Sequence, residues 1–203
     1  MPVSISKGNK KLGFTPNVNL DPRRTCKDMP CFKSCYARCH CRWPAVANAW
    51  GNNLDLLKRN PNLFGASIVA QLKAKSKPVK YFRWHSGGEL ISQNHLDLIY
   101  NIARACPETN FLLFTKRFEL DFSEKPANLS LAFSSWPGEK IPADILKNHR
   151  IAWMQDGTET RIGKRNHYVC PAVATHGKVT CNECRRCWRL SKDRTDVVFP
   201  KHA

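Results

Sequence analysis

No apolar run in this 203-residue chain approaches the roughly 18 residues of a membrane-spanning helix, so no membrane association is expected. The opening stretch, MPVSISKGNKKLGF, contains no apolar h-region, and a secretory signal is not expected there either. Internal repeats and low-complexity blocks are missing. Acidic residues are scarce: 16 Asp and Glu face 33 Lys and Arg, a formal net charge of +17. Apolar residues make up 42 % of the chain and aromatics are spread along it, which argues against disorder. A cytoplasmic protein with one real core and a small appendage is expected.

What the chain has in quantity is cysteine, ten in all. Disulfides seldom persist in a reducing cytoplasm, so these residues read as metal ligands or reactive thiols. The positive charge attracts polyanions: nucleic acid, a nucleotide, an anionic cofactor or an acidic partner protein would each fit. It is spread over Lys7–Lys11, Arg23–Lys27, Lys73–Lys80 and Arg185–Lys192, and part of it could offset thiolate charge at a metal centre.

Residues Gly13–Leu20 predict a first strand despite Pro16, ending at the Asp21-Pro22 turn. The cysteine-rich stretch Cys26–Cys41 has too few apolar residues to hold a shape without a ligand. Pro44 opens a helix that Asn60-Pro61 closes. Asn62–Lys75 reads as a second helix, with Leu63, Ile68, Val69 and Leu72 as its apolar stripe. Strands at Val79–Trp84, Phe111–Phe114, Leu129–Phe133 and Ile151–Met154 then interleave with helices at Asn94–Ala105 and Pro142–Lys147. Val197–Phe199 supplies a last edge strand. The alternation predicts an α/β protein with a mostly parallel sheet of about five or six strands, residues 1–156. Residues 157–203 form a cysteine-rich segment packed on it. In such sheets ligands gather beyond the carboxyl ends of the strands.

Cys26, Cys31 and Cys35 lie four and three residues apart, with Cys39 and Cys41 just behind. Thiolates are soft ligands for iron–sulfur clusters and zinc. Three of them can hold three irons of a four-iron cluster and leave the fourth open; a four-cysteine zinc site completed by Cys39 or Cys41 is the alternative. Cys170, Cys181, Cys184 and Cys187 form a second set of four, suited to a closed centre holding either zinc or a second 4Fe-4S cluster. Cys106, at a helix end, reads as a buried apolar residue.

Strand Val79–Trp84 runs into His85-Ser86-Gly87-Gly88-Glu89. Successive glycines permit positive φ and close backbone approach, and a carboxylate after them can accept from an ammonium group. His85 could orient a ligand, but beside a strand end it reads first as a hydrogen-bonded structural residue. Lys116 follows the third strand, and Ser134 and Ser135 the fourth; a cation and hydroxyls there suit anionic or ribose groups.

A three-cysteine loop after the first strand and a Gly-Gly-Glu turn after the second resemble the layout of radical S-adenosylmethionine (SAM) enzymes. The resemblance implies a partial (β/α) barrel in which Cys26, Cys31 and Cys35 hold a 4Fe-4S cluster and SAM chelates the open iron. Gly87, Gly88 and Glu89 would meet the SAM amino group, and Lys116, Ser134 and Ser135 its carboxylate and ribose or a substrate phosphate. An external reductant would drive SAM cleavage to a 5′-deoxyadenosyl radical that abstracts hydrogen from a substrate. The spacing departs from that pattern: three then two residues are usual, with an aromatic before the third cysteine, whereas Tyr36 here follows it. The chain more closely resembles the phage and mobile-element gene product 88 family. It shares the Cys35-Tyr36-Ala37 step, the run Phe82–Gly87, the Thr115–Arg117 step and the terminal cysteine cluster, which implies the cytoplasm of a phage host. Two further functions fit: a zinc-stabilised nucleic-acid-binding protein, and a barrel that keeps its cluster for binding or sensing.

Overall fold

The computed structural model describes residues 2–156, 165–189 and 195–201. Strands β1 (Ile5–Ser6) and β2 (Asn17–Val18) are followed by α1 (Pro22–Thr25), α2 (Tyr36–His40), α3 (Pro44–Arg59) and α4 (Pro61–Lys73). Next come β3 (Tyr81–Trp84), α5 (Gln93–Ala105), β4 (Asn110–Thr115), β5 (Leu129–Ser135), α6 (Ala143–Asn148) and β6 (Ile151–Met154). The remainder adds β7 (His167–Val169), α7 (Pro171–Ala174), α8 (Cys181–Cys184), a 3-10 turn (Arg186–Trp188) and β8 (Asp196–Phe199).

Local chemistry accounts for the helix limits. Pro44 and Pro61 occupy first-turn positions of α3 and α4, where a missing N–H costs nothing. The Asn60 side chain caps α4 by accepting from the Leu63 N–H at 2.9 Å. Ser92 does the same for α5, accepting from His95 N–H. The stripe expected on α4 is shifted: Phe64, Ile68 and Leu72 are buried, while Leu63 is 52 % exposed.

All eight strands form one open sheet in the order β1-β2-β3-β4-β5-β6-β8-β7. Only β1 runs antiparallel to its neighbour. The fold is therefore mixed α/β with a mostly parallel sheet, as its alternating elements predict. The first strand is shorter than Gly13–Leu20, because Pro16 has no N–H to give. Pairing still runs past its ends: Pro16 O accepts from Arg83 N, and Leu20 N donates to Gly87 O. Val197–Phe199 is not at the edge. It lies in β8 between β6 and β7, and β7 takes the edge instead. Residue 157 and part of the basic run 185–192 lie outside the described residues, but β7 and β8, beyond them, join the same sheet.

The pleat sorts the side chains. Phe82, Trp84, Phe111, Leu113 and Phe133 face α3, α4 and α5 in the main core, together with buried Leu54, Phe64, Ile68, Leu96 and Ile99. Each such side chain stabilises the fold by about 1.5–3 kcal/mol. The opposite face carries Ala132, Ala152 and Val197, and there Cys170, Ala172 and Val173 build a second, smaller core. Helices thus cover one face and the C-terminal cysteine segment the other. Cys106 ends α5 and is buried in the main core, as expected.

Candidate functional site

The first cysteine group starts from a buried carboxylate. Asp21 caps α1 by accepting from Arg23 N–H at 2.9 Å and pairs with the Arg23 guanidinium at 2.7 Å. Pro22 opens the single turn of α1, which delivers Cys26, whose N–H donates to Pro22 O. Tight turns follow one another: Met29 N to Cys26 O, Phe32 N to Met29 O, Ser34 N to Cys31 O, Cys35 N to Phe32 O. Backbone hydrogen bonds and α2 shape this loop, with Ala37 and Cys41 turned inward.

Cys26, Cys31 and Cys35 lie within electrostatic reach of one another and of Glu89, at the carboxyl end of the parallel strands. Burial pushes the Cys26 thiol up to about 12, with the Glu89 carboxylate adding to it. Burial also raises Cys31, opposed by the charge on Lys116. Both are therefore neutral thiols here, and metal binding would have to displace their protons.

The Gly-Gly-Glu turn is closed up against the protein. Gly87 donates its N–H to Asn19 Oδ1 at 2.9 Å and accepts from Leu20 N. A Cβ on Gly87 would come within 2.7 Å of the Trp50 ring. Gly88 has φ +92°, and a Cβ there would lie 2.7 Å from Leu20 O. The Glu89 carboxylate accepts three hydrogen bonds: Oε1 from Leu90 N and Thr115 Oγ1, both at 2.8 Å, and Oε2 from Lys116 N at 3.0 Å. Burial raises its pKa despite those donors. The two glycines therefore serve close packing, and the carboxylate ties β3 to β4. Ser134 and Ser135, buried at the end of β5, point to opposite faces, because Ala132 faces the cysteine segment and Phe133 the helices. Only Ser135 shares its face with Thr115.

The second cysteine group is assembled from three pieces. Cys170 caps α7, with its N–H on Val198 O at 2.7 Å. Thr180 and Glu183 form a capping box that starts α8, which carries Cys181 and Cys184. The α8 backbone is held by Lys11 O and Leu12 O, which accept from Cys181 N and Asn182 N. Arg185, in the left-handed region at φ 56°, ends α8 and leads into the turn bearing Cys187 and Trp188. Trp188 is buried and donates Nε1–H to Phe82 O at 3.0 Å, which pins the segment to β3. All four cysteines line one narrow cavity with Tyr168 and Trp188. Burial pushes Cys187 up to about 12; its sulfur lies 3.1 Å from the Tyr168 hydroxyl.

Among the described residues, no three Cys, His, Asp or Glu side chains are gathered as ligands for a single ion in common. Both cysteine groups are near neighbours without converging on one point. None of the ten cysteines is in a disulfide. Sequence reasoning missed Thr115 as the partner of Glu89, Asn19 and Trp50 as the packing partners of Gly87, and Tyr168 beside Cys187. The one available signal was Arg83, a cation between Phe82 and Trp84 in a period-2 pattern, which marked two differently used faces. No helix among the described residues is long and apolar enough to cross a membrane.

A family model described as gene product 88 matches residues 3–190. No curated protein and no solved structure matches the chain. With nearly its whole length matched, the chain belongs to the phage gene product 88 family.

Proposed function

We propose that the protein is an iron–sulfur protein of radical SAM type, with an open 4Fe-4S site at Cys26, Cys31 and Cys35 and a second thiolate centre at Cys170, Cys181, Cys184 and Cys187. The observation that carries this reading is the thiol arrangement. Three cysteines meet beyond the carboxyl ends of parallel strands, close enough to influence one another. Three thiolates on one loop can take three irons of a four-iron cluster and leave the fourth open. The parallel strands β2 to β6 also follow in sequence order, as in a (β/α) barrel and without the reversal of a doubly wound sheet. On this reading the open sheet is a partial barrel.

When bound and reduced by an external donor, the cluster would supply the electron that cleaves SAM and starts hydrogen abstraction. The chain's own residues have narrower tasks. The Glu89 carboxylate, with three donors, holds β3 and β4 in register at the site. Lys116, whose charge reaches Cys31, offsets thiolate charge and is placed to meet a carboxylate. Ser135 is the hydroxyl on the Thr115 face of the sheet.

Anaerobically prepared full-length protein should contain iron and acid-labile sulfide and form 5′-deoxyadenosine from SAM when given dithionite. Cys31→Ala should abolish that product. Colourless protein with stoichiometric zinc at both groups would remove the proposal. The second reading, a zinc-stabilised protein that binds nucleic acid without catalysis, is favoured by the exposed cations Lys27, Lys33, Arg38 and Arg42 around the first cysteine group. In either case the expected setting is the reducing cytoplasm of the phage host.

A further inference from the structure

Arg83 carries a positive charge where no protein group answers it. The pleat of β3 sends Phe82 and Trp84 into the main core and turns Arg83 to the face covered by the cysteine segment. Its guanidinium carbon lies 5.0 Å over the Phe114 ring. Phe114 in turn packs against the small core that contains Cys170, with Cys181 and Cys187 at its border. Arg83 Nε is buried and has no hydrogen-bond partner. Among the described residues, no ion pair includes Arg83.

An arginine does not shed its charge in a protein, so a half-buried guanidinium without an anion carries a desolvation cost. Cation–π contact with Phe114 recovers only part of it. The anions within reach are sulfurs, and they become anions when a metal displaces their protons. Four thiolates around one divalent ion, or around a four-iron cluster, leave net negative charge that the ligands alone cannot neutralise. Cys170 and Cys181 are thiols close enough to feel the charge on Arg83. On the far side, Tyr36 donates its hydroxyl to Ser86 O at 2.7 Å and lies within reach of Arg83, Cys35 and Cys181.

We propose that Arg83 is the positioning counter-ion of the C-terminal cysteine centre, donating Nε–H to the sulfur of Cys170 or Cys181 once that sulfur is metal-bound. This rests on the reading that Cys170, Cys181, Cys184 and Cys187 hold a metal.

The test compares wild type, Arg83→Gln and Arg83→Lys, each in a Cys31→Ser background so that the first group does not contribute. Each full-length protein is purified anaerobically, assayed for iron, zinc and sulfide, and then challenged with EDTA. Partners of metal ligands typically contribute 10- to 100-fold in affinity, so Arg83→Gln should lose metal about 10-fold or more readily. Arg83→Lys, which keeps the charge, should recover much of the retention. Thermal melts of the metal-free proteins should show the opposite sign, with Arg83→Gln at least as stable as wild type, because an unanswered charge has gone. Unchanged retention in Arg83→Gln, or equal destabilisation of metal-free and loaded protein, would overturn the assignment while leaving the centre intact. A metal content unaffected by Cys181→Ser with Cys184→Ser would overturn the centre itself, and the role of Arg83 with it.

Discussion

His85 ends β3 in the left-handed region, φ 53°, and both its ring nitrogens are buried without a hydrogen-bond partner. Its ring packs 5.1 Å from His95 and 5.8 Å from Trp84. It is structural, but not the hydrogen-bonded residue that its place in the sequence suggested. Nothing in composition foretells a left-handed histidine whose ring is sealed in by a neighbouring helix. Burial depresses its pKa from 6.5 to about 4, and burial lowers His95 as well. An unfolded chain therefore binds protons near pH 6.5 that the folded protein refuses until about pH 4. This contribution to stability is complete above pH 6.5 and is lost as pH falls through that window. Glu89 works in the opposite sense, since burial favours its protonated form in the folded state. The loss attributable to His85 is on the order of 3 kcal/mol. Urea unfolding at pH 7.5 and 5.0 should register about 2 kcal/mol of that loss, and His85→Asn, which tolerates positive φ, should flatten the difference. An equally steep pH dependence in that variant would place the titrating group elsewhere.

Among the elements, β8 shows how a short strand becomes interior. Its apolar residues Val197, Val198 and Phe199 were readable as a strand, but Asp196 decides its place. That carboxylate, fully buried, accepts from Ile151 N at 2.8 Å and Trp153 Nε1 at 2.9 Å, and pairs with Arg165 Nε at 2.6 Å. It joins β6, β8 and the approach to β7 around one charge. In the sequence, β7 is only His167-Tyr168-Val169, too short for alternation to register, and β1 is shorter still. By contrast Ile151–Met154 was legible to the residue, because its apolar run lies between a helix end and a polar loop. Asp196→Ala would leave Arg165 as an uncompensated charge and two N–H groups without acceptors. A destabilisation of about 3–5 kcal/mol is expected from denaturant unfolding, with the C-terminal segment made sensitive to protease. A loss under about 1 kcal/mol would mean that β8 is held by apolar contacts alone.

At the scale of the whole molecule, the open question is what a charge of +17 is for. The count was legible from the sequence; its arrangement was not, because ion pairing depends on the fold. Arg23 is neutralised locally by Asp21, and Arg24 by Asp55. Lys27, Lys33, Arg38 and Arg42 remain exposed around the loop that carries Cys26, Cys31 and Cys35, with Asp28 the acidic residue among them. Arg38 is stacked over the Phe32 ring at 5.2 Å, so that its charge is held in a fixed place. The loop that carries the first cysteine group is thus electropositive, which would favour a polyanionic partner. A single-stranded oligonucleotide should bind with an affinity that falls linearly on a log–log plot against salt, by about 0.7 per phosphate neutralised. Lys33→Glu with Arg38→Glu should weaken binding and reduce the slope by about 1.4, reflecting two lost contacts. If affinity does not depend on salt, or the double variant binds as wild type does, the positive field does not serve nucleic acid. Its remaining use would be to balance the thiolates of the two cysteine centres, and the double variant would then lose metal instead.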